Sequence, residues 1–503
     1  MKKNQIISNI RIDKIGYEGV GLAQFTDGKK LIVKGGVLPG MVCNLRVVRT
    51  RKDYAECHVV DIVSVDQEYA TGEIKCPHYL YAKHAMPEHK SGCGGCKWQM
   101  VAYQQQLQIK HDIVKDSFRH LGRPIEVLPV LPSPEVRGYR NKIEYSFGKF
   151  ISWKWEDKKV LSDWSLWFHR QGMFGKIIDV DQCFLVDDRV NQIFQHIKTL
   201  LETSGLPVYD QMRHEWVLRH VLIRQAKRNN QIMVVISISG ALRQQDGDNA
   251  RLTQLITNDP WIKEHVTTCV LIVNDSLADV VATRDSECEI LWWSGIINEN
   301  LHIQDNVLQF DISPLSFFQT NSTGAELLYN TAIQMVWSIH GTILDLYCGT
   351  GTIGIAFTKA YGDAMLVGIE EIESAVADAY KNAQTNALQS DYHFFAGKVE
   401  KLLSMQSGKL TIKNTTGELI IDNQNLWLVI VDPPRSGLHE GAIQTLLELK
   451  QQTPGLRVCY ISCNPVTLAR DLKLLSESYT FDTVQPVDMF PHTYHIENIV
   501  ILN

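Results

Sequence analysis

The sequence predicts a multidomain chain: a small N-terminal β-barrel, a central β-rich region with a cysteine cluster, and a C-terminal α/β domain on a mostly parallel, Rossmann-like sheet. Three observations carry this. Short apolar runs punctuated by glycines fill the first 63 residues, and cysteines at metal-ligand spacing open a long strand-rich stretch. After Phe310, apolar strands alternate with helical periodicity. At 503 residues the chain exceeds what one hydrophobic core organises.

Residues 1–63 carry Ile10, Ile12, Ile15, Leu31, Val33, Leu45, Val47, Cys57 and Val59 as strand positions, with Gly16, Gly19, Gly21 and Gly28 at turns. Residues 64–97 are irregular and rich in Cys, His and Gly. Residues 98–123 read as a helix that packs on the catalytic domain, since Met100, Tyr103, Leu107, Val114, Phe118 and Leu121 recur at intervals near three or four. Residues 124–310 form the central β-rich region. Its aromatics, among them Tyr145, Phe147, Trp153, Trp155, Trp164 and Phe168, interleave with Lys142, Lys149, Lys154 and Arg170. Two readings stay open there: stacking on exposed bases, or an aromatic β core. Residues 311–503 alternate helices near 323–337, 372–388 and 441–450 with strands 343–346, 365–369, 426–431 and 457–461. Residues 404–425 read as a loop insertion.

Composition narrows the function classes. The formal net charge is −6, yet residues 1–60 hold eleven Lys and Arg against five Asp and Glu, a local +6. A basic module on an acidic body suits RNA, because the local field outweighs the total; a solvated basic face with no partner is the alternative. No run of about 18 apolar residues appears, so no membrane span is expected. Neither is there an apolar leader after Met1, and a cytoplasmic location follows. Eleven cysteines in such a chain point to thiols or metal ligands rather than disulfides.

Ile343-Leu344-Asp345-Leu346-Tyr347-Cys348-Gly349-Thr350-Gly351 joins an apolar strand to a glycine-rich turn and a helix. Glycines let backbone approach a ligand, and in open α/β sheets ligands sit at the carboxyl ends of strands. Glu370 ends the next strand, placed to accept from a ribose. A dinucleotide site fits this pattern as well. The methyl-donor reading is favoured by the irregular glycine spacing and by Asp432-Pro433-Pro434-Arg435, which has no part in dinucleotide binding.

Val458-Cys459-Tyr460-Ile461-Ser462-Cys463-Asn464-Pro465 runs an apolar strand into a polar turn, so the Cys463 thiol falls at the same edge. Uracil carbon 5 is a poor nucleophile until a thiolate adds at carbon 6. A base must then remove the carbon 5 proton. Glu497, within an apolar terminal strand, offers that base. Cys43, Cys57, Cys269 and Cys288 read as core residues. Cys76, Cys93, Cys96 and Cys183 have 16, 2 and 86 residues between them, and four thiolates can hold either a 4Fe–4S cluster or zinc, plain reduced cysteines being the alternative.

Together these motifs resemble the RNA uracil-5-methyltransferase family. The resemblance is to its iron–sulfur group with an N-terminal TRAM domain, closest to bacterial 23S ribosomal RNA (uracil-5)-methyltransferases. Its most specific pieces are Ser462-Cys463-Asn464-Pro465 with Leu468-Ala469-Arg470-Asp471, Asp432-Pro433-Pro434-Arg435, Cys93-Gly94-Gly95-Cys96, Ser316-Phe317-Phe318-Gln319 and Leu218-Arg219-His220. The resemblance implies a class I methyltransferase domain and S-adenosyl-L-methionine as donor. It implies Cys463 as nucleophile and Glu497 as base, with donor contacts from Gln319, Tyr347, Thr352, Glu370 and Asp432. It further implies a 4Fe–4S cluster on Cys76, Cys93, Cys96 and Cys183, 23S ribosomal RNA as partner, and a monomer. The chain departs from the family in the longer segment Tyr81 to Ser91, with His84 and His89, between the first two cluster cysteines. It also has Thr352 where the family often has Asn.

Overall fold

The computed structural model describes residues 1–66, 68–69, 72–79, 93–151, 160–170, 173–178, 180–210, 213–215, 217–240, 248–283, 285–338, 340–362, 364–406 and 408–503. The chain divides into two compact units. The first gathers residues 1–73, 96–136 and 326–503; the second gathers 74–95 and 137–325.

The centre of the first unit is an eight-stranded sheet. Its spatial order is Tyr392–Ala396, Met365–Glu370, Thr342–Leu346, Leu426–Val431, Arg457–Ser462, Glu497–Leu502, Thr483–Val487 and Glu126–Val127. The first five strands run parallel. Glu497–Leu502 enters antiparallel between Arg457–Ser462 and Thr483–Val487. Runs such as Ile343-Leu344 and Val429-Ile430-Val431 are buried, as expected of parallel strands covered on both faces by helices. The chain leaves Thr342–Leu346 on one side to build Met365–Glu370 and Tyr392–Ala396, then returns to the other side at Leu426–Val431. That reversal opens a crevice at the carboxyl ends of these strands.

Helix Tyr103–Ser117 lays Leu107 and Val114 into the core under this sheet, with Phe118 and Leu121 beyond its end. It also buries a cation. Lys110 Nζ lies 2.6 Å from Asp488 Oδ1, both side chains fully buried, and donates to the Phe490 carbonyl at 3.0 Å. Tyr103 donates to the other Asp488 oxygen at 2.9 Å. Gln106 Oε1 accepts from the His492 amide at 2.8 Å. About two turns of one helix thus fix the segment 488–492 just ahead of Glu497.

Residues 6–64 form a curled six-stranded sheet, ordered Ile6–Arg11, Val42–Thr50, Tyr54–Ser64, Lys30–Lys34, Gly21–Gln24, Lys14–Ile15. Bulges interrupt the first two pairings and bend the long strands. No ladder joins the outermost strands, so the expected barrel is an unclosed sheet. Across residues 404–425, expected as a loop insertion, the strands Leu403–Gln406, Lys409–Lys413 and Glu418–Asp422 make a three-stranded antiparallel sheet that buries Leu410, Ile412 and Ile421.

The second unit holds a seven-stranded sheet around Leu218–Ala226, every residue of which is buried. Tyr145 stacks on Phe194 with centroids 3.8 Å apart, and Phe147 is equally buried. For these residues the aromatic-core reading holds. Trp153, Lys154 and Trp155 lie outside the described residues. Arg219 of the Leu218-Arg219-His220 motif donates to the carbonyls of Asn274, Ser276 and Ala278, tying down a loop. Cys43, Cys57 and Cys269 are core residues, whereas Cys288 is exposed on the sheet-edge strand Glu287–Trp292.

Candidate functional site

Five strand ends of the first unit converge on the crevice. After Leu346 the backbone turns through Tyr347, at φ 65°, a conformation L-residues adopt at a cost. The Cys348 amide continues the ladder onto the Ile369 carbonyl at 3.0 Å. Gly351, at φ 79°, caps the helix Thr352–Tyr361. The turn is held shut from below: Asp345 Oδ2 accepts from the Gly354 amide at 2.9 Å, and a Cβ on Gly354 would meet that oxygen at 2.7 Å. Glu370 spans the opening, taking the Gly349 amide on one oxygen at 3.1 Å and the Ile372 amide on the other at 3.0 Å. Each of its oxygens keeps a further lone pair for another donor.

The other expected donor contacts fall as follows. Thr352 begins the helix, and its side chain hydrogen-bonds the buried Tyr329. Tyr347 is half-buried, its hydroxyl bonded to the His439 backbone, and burial pushes that phenol up to about 12. Asp432 follows the strand Leu426–Val431, directly across the reversal from Tyr347. Gln319 lies in the second unit, where Asn141 donates to its carbonyl at 2.9 Å.

Register brings Cys463 and Glu497 to the same step of the sheet edge, near enough for the carboxylate to act on the thiol. Ser462 pairs with Asn498 in the antiparallel ladder, so the next position sets Cys463 opposite Glu497. Asn498 Nδ2 crosses this step to the Ser462 carbonyl at 3.0 Å. Asn464 caps the following helix by accepting from the Val466 amide at 3.0 Å, and its amide group reaches the Arg435 carbonyl at 2.9 Å. Asp471 anchors the Arg435 loop from below, accepting from Leu438 and from the Tyr460 hydroxyl at 2.8 and 2.7 Å.

Burial dominates the electrostatics. It pushes Glu497 up to about 8, with Asp432 adding to the rise and Arg435 opposing it. Burial alone raises Asp432 to about 7, and burial raises Asp345 to about 8. Cys463 is raised to about 12, first by burial and then by Glu497 and Asp432, against Arg435. Three buried carboxyls held in their neutral form at one sheet edge are the kind of perturbed group that accompanies a functional site. Sequence reasoning missed Asp345, Tyr329 and Arg435. An aspartate inside an otherwise apolar strand was the available signal for the first.

The four expected metal ligands divide between the units: Cys76, Cys93 and Cys183 in the second, Cys96 in the first. Cys93 and Cys183 pack against the apolar core, and burial pushes the Cys93 thiol up to about 12. Among the described residues no group of three or more His, Cys, Asp or Glu side chains is arranged to hold a metal ion. Cys76 and Cys183 lie near enough to Cys93 for their charges to act on its thiol, but neither the expected 4Fe–4S cluster nor its zinc alternative is evidenced among the described residues. His84 and His89 lie outside the described residues. Among the described residues no helix is long and apolar enough to cross a membrane.

Comparison with known proteins adds three findings. The family described as tRNA (Uracil-5-)-methyltransferase matches residues 256–503. A protein of Caldanaerobacter subterraneus subsp. tengcongensis named an uncharacterized RNA methyltransferase is 33% identical across 100% of this chain and 99% of its own. One of the same name from Chlorobaculum tepidum is 32% identical over 94% and 91%. Among solved structures, the Pyrococcus abyssi tRNA (uracil-54, C5)-methyltransferase in complex with S-adenosyl-L-homocysteine is similar over 98% of this chain and 99% of its own, at TM-score 0.68 and 25% identity. The narrower expectation, an iron–sulfur, TRAM-bearing enzyme of 23S ribosomal RNA, is overturned. One full-length likeness among solved structures is to a transfer RNA enzyme, the family match leaves the unclosed N-terminal sheet outside it, and no metal ligand set is found among the described residues.

Proposed function

The chain belongs to the S-adenosylmethionine-dependent RNA (uracil-5-)-methyltransferases, and from that premise we propose that it methylates carbon 5 of a uridine in transfer RNA, with Cys463 as nucleophile and Glu497 as base. The observation that carries the residue roles is the register that sets Cys463 against Glu497 at the edge holding the donor turn. The transfer RNA reading is supported by the full-length likeness to the Pyrococcus abyssi enzyme.

The Cys463 thiolate adds to carbon 6, and the electron pair of the ring double bond moves onto the carbon 4 carbonyl as an enolate. Carbon 5 then takes the methyl group from the sulfonium, which leaves as S-adenosylhomocysteine. Glu497 removes the carbon 5 proton, the double bond reforms, and the thiolate departs. Tyr347, Thr352, Glu370 and Asp432 line the donor's place; the part given to Gln319 rests on the family resemblance. Arg435 opposes the charge that builds on the thiolate. The target base must leave its stack to reach the crevice.

Purified protein, labelled donor and separate transfer and ribosomal RNA substrates test this, with 5-methyluridine mapped in each. Methylation of transfer RNA is expected. Product only in ribosomal RNA would overturn the substrate reading, and methyl groups on any atom but uridine carbon 5 would overturn the chemistry.

A further inference from the structure

The N-terminal sheet reaches the crevice with an aromatic side chain. Its strand Lys14–Ile15 leads into a single turn, Tyr17–Gly19, in which Glu18 and Gly19 both take positive φ. Tyr17 is half-buried and meets Tyr494 edge to face, ring centroids 6.3 Å apart. Tyr494 in turn packs on His495 at 4.1 Å, and Arg435 hydrogen-bonds Tyr494 and lies 3.3 Å from His495 Nδ1. Lys97 clamps the pair, donating to the Glu18 carbonyl at 3.3 Å with its ammonium 4.6 Å over the Tyr494 ring. A Cβ on Gly19 would touch Tyr494 Cβ at 3.3 Å, so the turn sits flush against residue 494. This layer lies beside the nucleophile: burial and then Cys463 push the Tyr17 phenol up to about 12.

Resting on the uridine reading above, we propose that Tyr17, with Tyr494, forms the aromatic wall that holds the extruded pyrimidine ring while Cys463 adds to it. The N-terminal sheet then supplies a base-positioning residue as well as positive charge. Aromatic faces hold unstacked bases whatever their sequence, and the adjoining Arg435 suits a nucleotide that brings its phosphate with it.

The experiment uses the full chain and a loop oligonucleotide carrying 5-fluorouridine. After thiol addition and methyl transfer, this base has no carbon 5 proton to lose, so the adduct persists on a denaturing gel. Tyr17→Phe should trap RNA at close to the wild-type rate. Tyr17→Leu keeps bulk against Tyr494 without an aromatic face. It should lower the trapping rate at limiting RNA roughly 5- to 150-fold, the worth of one base–aromatic stack. Its donor affinity and the salt slope of RNA binding should stay unchanged. Lys52→Ala, an exposed charge in the turn between the strands Val42–Thr50 and Tyr54–Ser64, should change the salt slope and leave trapping at saturating RNA intact. Tyr17→Leu trapping as fast as wild type would overturn the wall. So would a Tyr17→Leu defect matched by equal loss of donor binding or of thermal stability, which would make Tyr17 a packing residue. No adduct from the wild-type protein would overturn the uridine reading itself, and the wall with it.

Discussion

Replacing Glu497 by glutamine isolates the last chemical step. The side chain is 5% exposed, and its carboxyl is raised to about 8 by burial and by Asp432. At pH 7 roughly one-tenth of it is ionised, and at pH 9 roughly nine-tenths. If proton removal limits turnover, the rate should climb about tenfold across that interval. Glutamine keeps the shape and removes the base. Turnover should fall about 10²–10⁴-fold and the limb near pH 8 should vanish. Attack should survive, because Glu497 is the leading charge that raises the Cys463 thiol, and its removal eases thiolate formation. A methylated covalent adduct should therefore accumulate. Stability supplies an independent check. A carboxylate raised on folding contributes stability that is fully present below its unfolded value, near 4.5, and is lost as pH rises through about 8. Glu497→Gln should melt with the wild type at pH 4 and above it at pH 8.5, by on the order of a few kcal/mol. Denaturing electrophoresis with labelled donor and thermal melts at the two pH values decide the matter. Normal turnover, or donor binding without any adduct, would refute the reasoning.

Cys463→Ala should bind donor and RNA yet give neither 5-methyluridine nor adduct; a labelled covalent species would refute the nucleophile. Donor affinity should strengthen from pH 6 to 8, because a cationic donor favours ionised carboxylates. Asp432→Asn should flatten that slope, read by titration calorimetry across pH. Lys110→Met leaves Asp488 buried without its cation and should cost about 3–5 kcal/mol, seen as a lower urea midpoint. Adding Asp488→Leu should recover part of that loss. Gly368→Ala would set a methyl 2.4 Å from Phe394 and 2.8 Å from the Cys348 sulfur. It should cost about 1–3 kcal/mol and weaken donor binding, measured by melting with and without S-adenosylhomocysteine.

The donor turn and the nucleophile turn were legible because an apolar strand must end where glycine or proline begins. Strands expected at 426–431 and 457–461 lie at Leu426–Val431 and Arg457–Ser462. The insertion at 404–425 was misread as a loop, although Lys409-Leu410-Thr411-Ile412-Lys413 alternates with the period of a half-buried strand. Lys110 could not be recognised as buried, since its partner Asp488 is brought to it only by tertiary packing. The cysteine spacing could not show whether a ligand set forms, because intervals in sequence do not fix where thiols lie in the fold. Tyr17 reads as one more turn residue until the fold carries it to Tyr494.

The bond between Lys110 and Asp488 spans 378 positions of chain, and that between Gln106 and His492 spans 386. At about 5–20 residues per second, a ribosome needs roughly 20–75 s to deliver the partner after the helix has emerged. Throughout that interval the cation keeps its hydration shell, and the apolar stripe of Leu107 and Val114 has no sheet to cover it. The helix is thus an early-made, late-used part, its apolar stripe uncovered until the segment around Asp488 arrives. Activity is tied to the same moment, because the docking that sequesters Lys110 also sets the residues leading to Glu497.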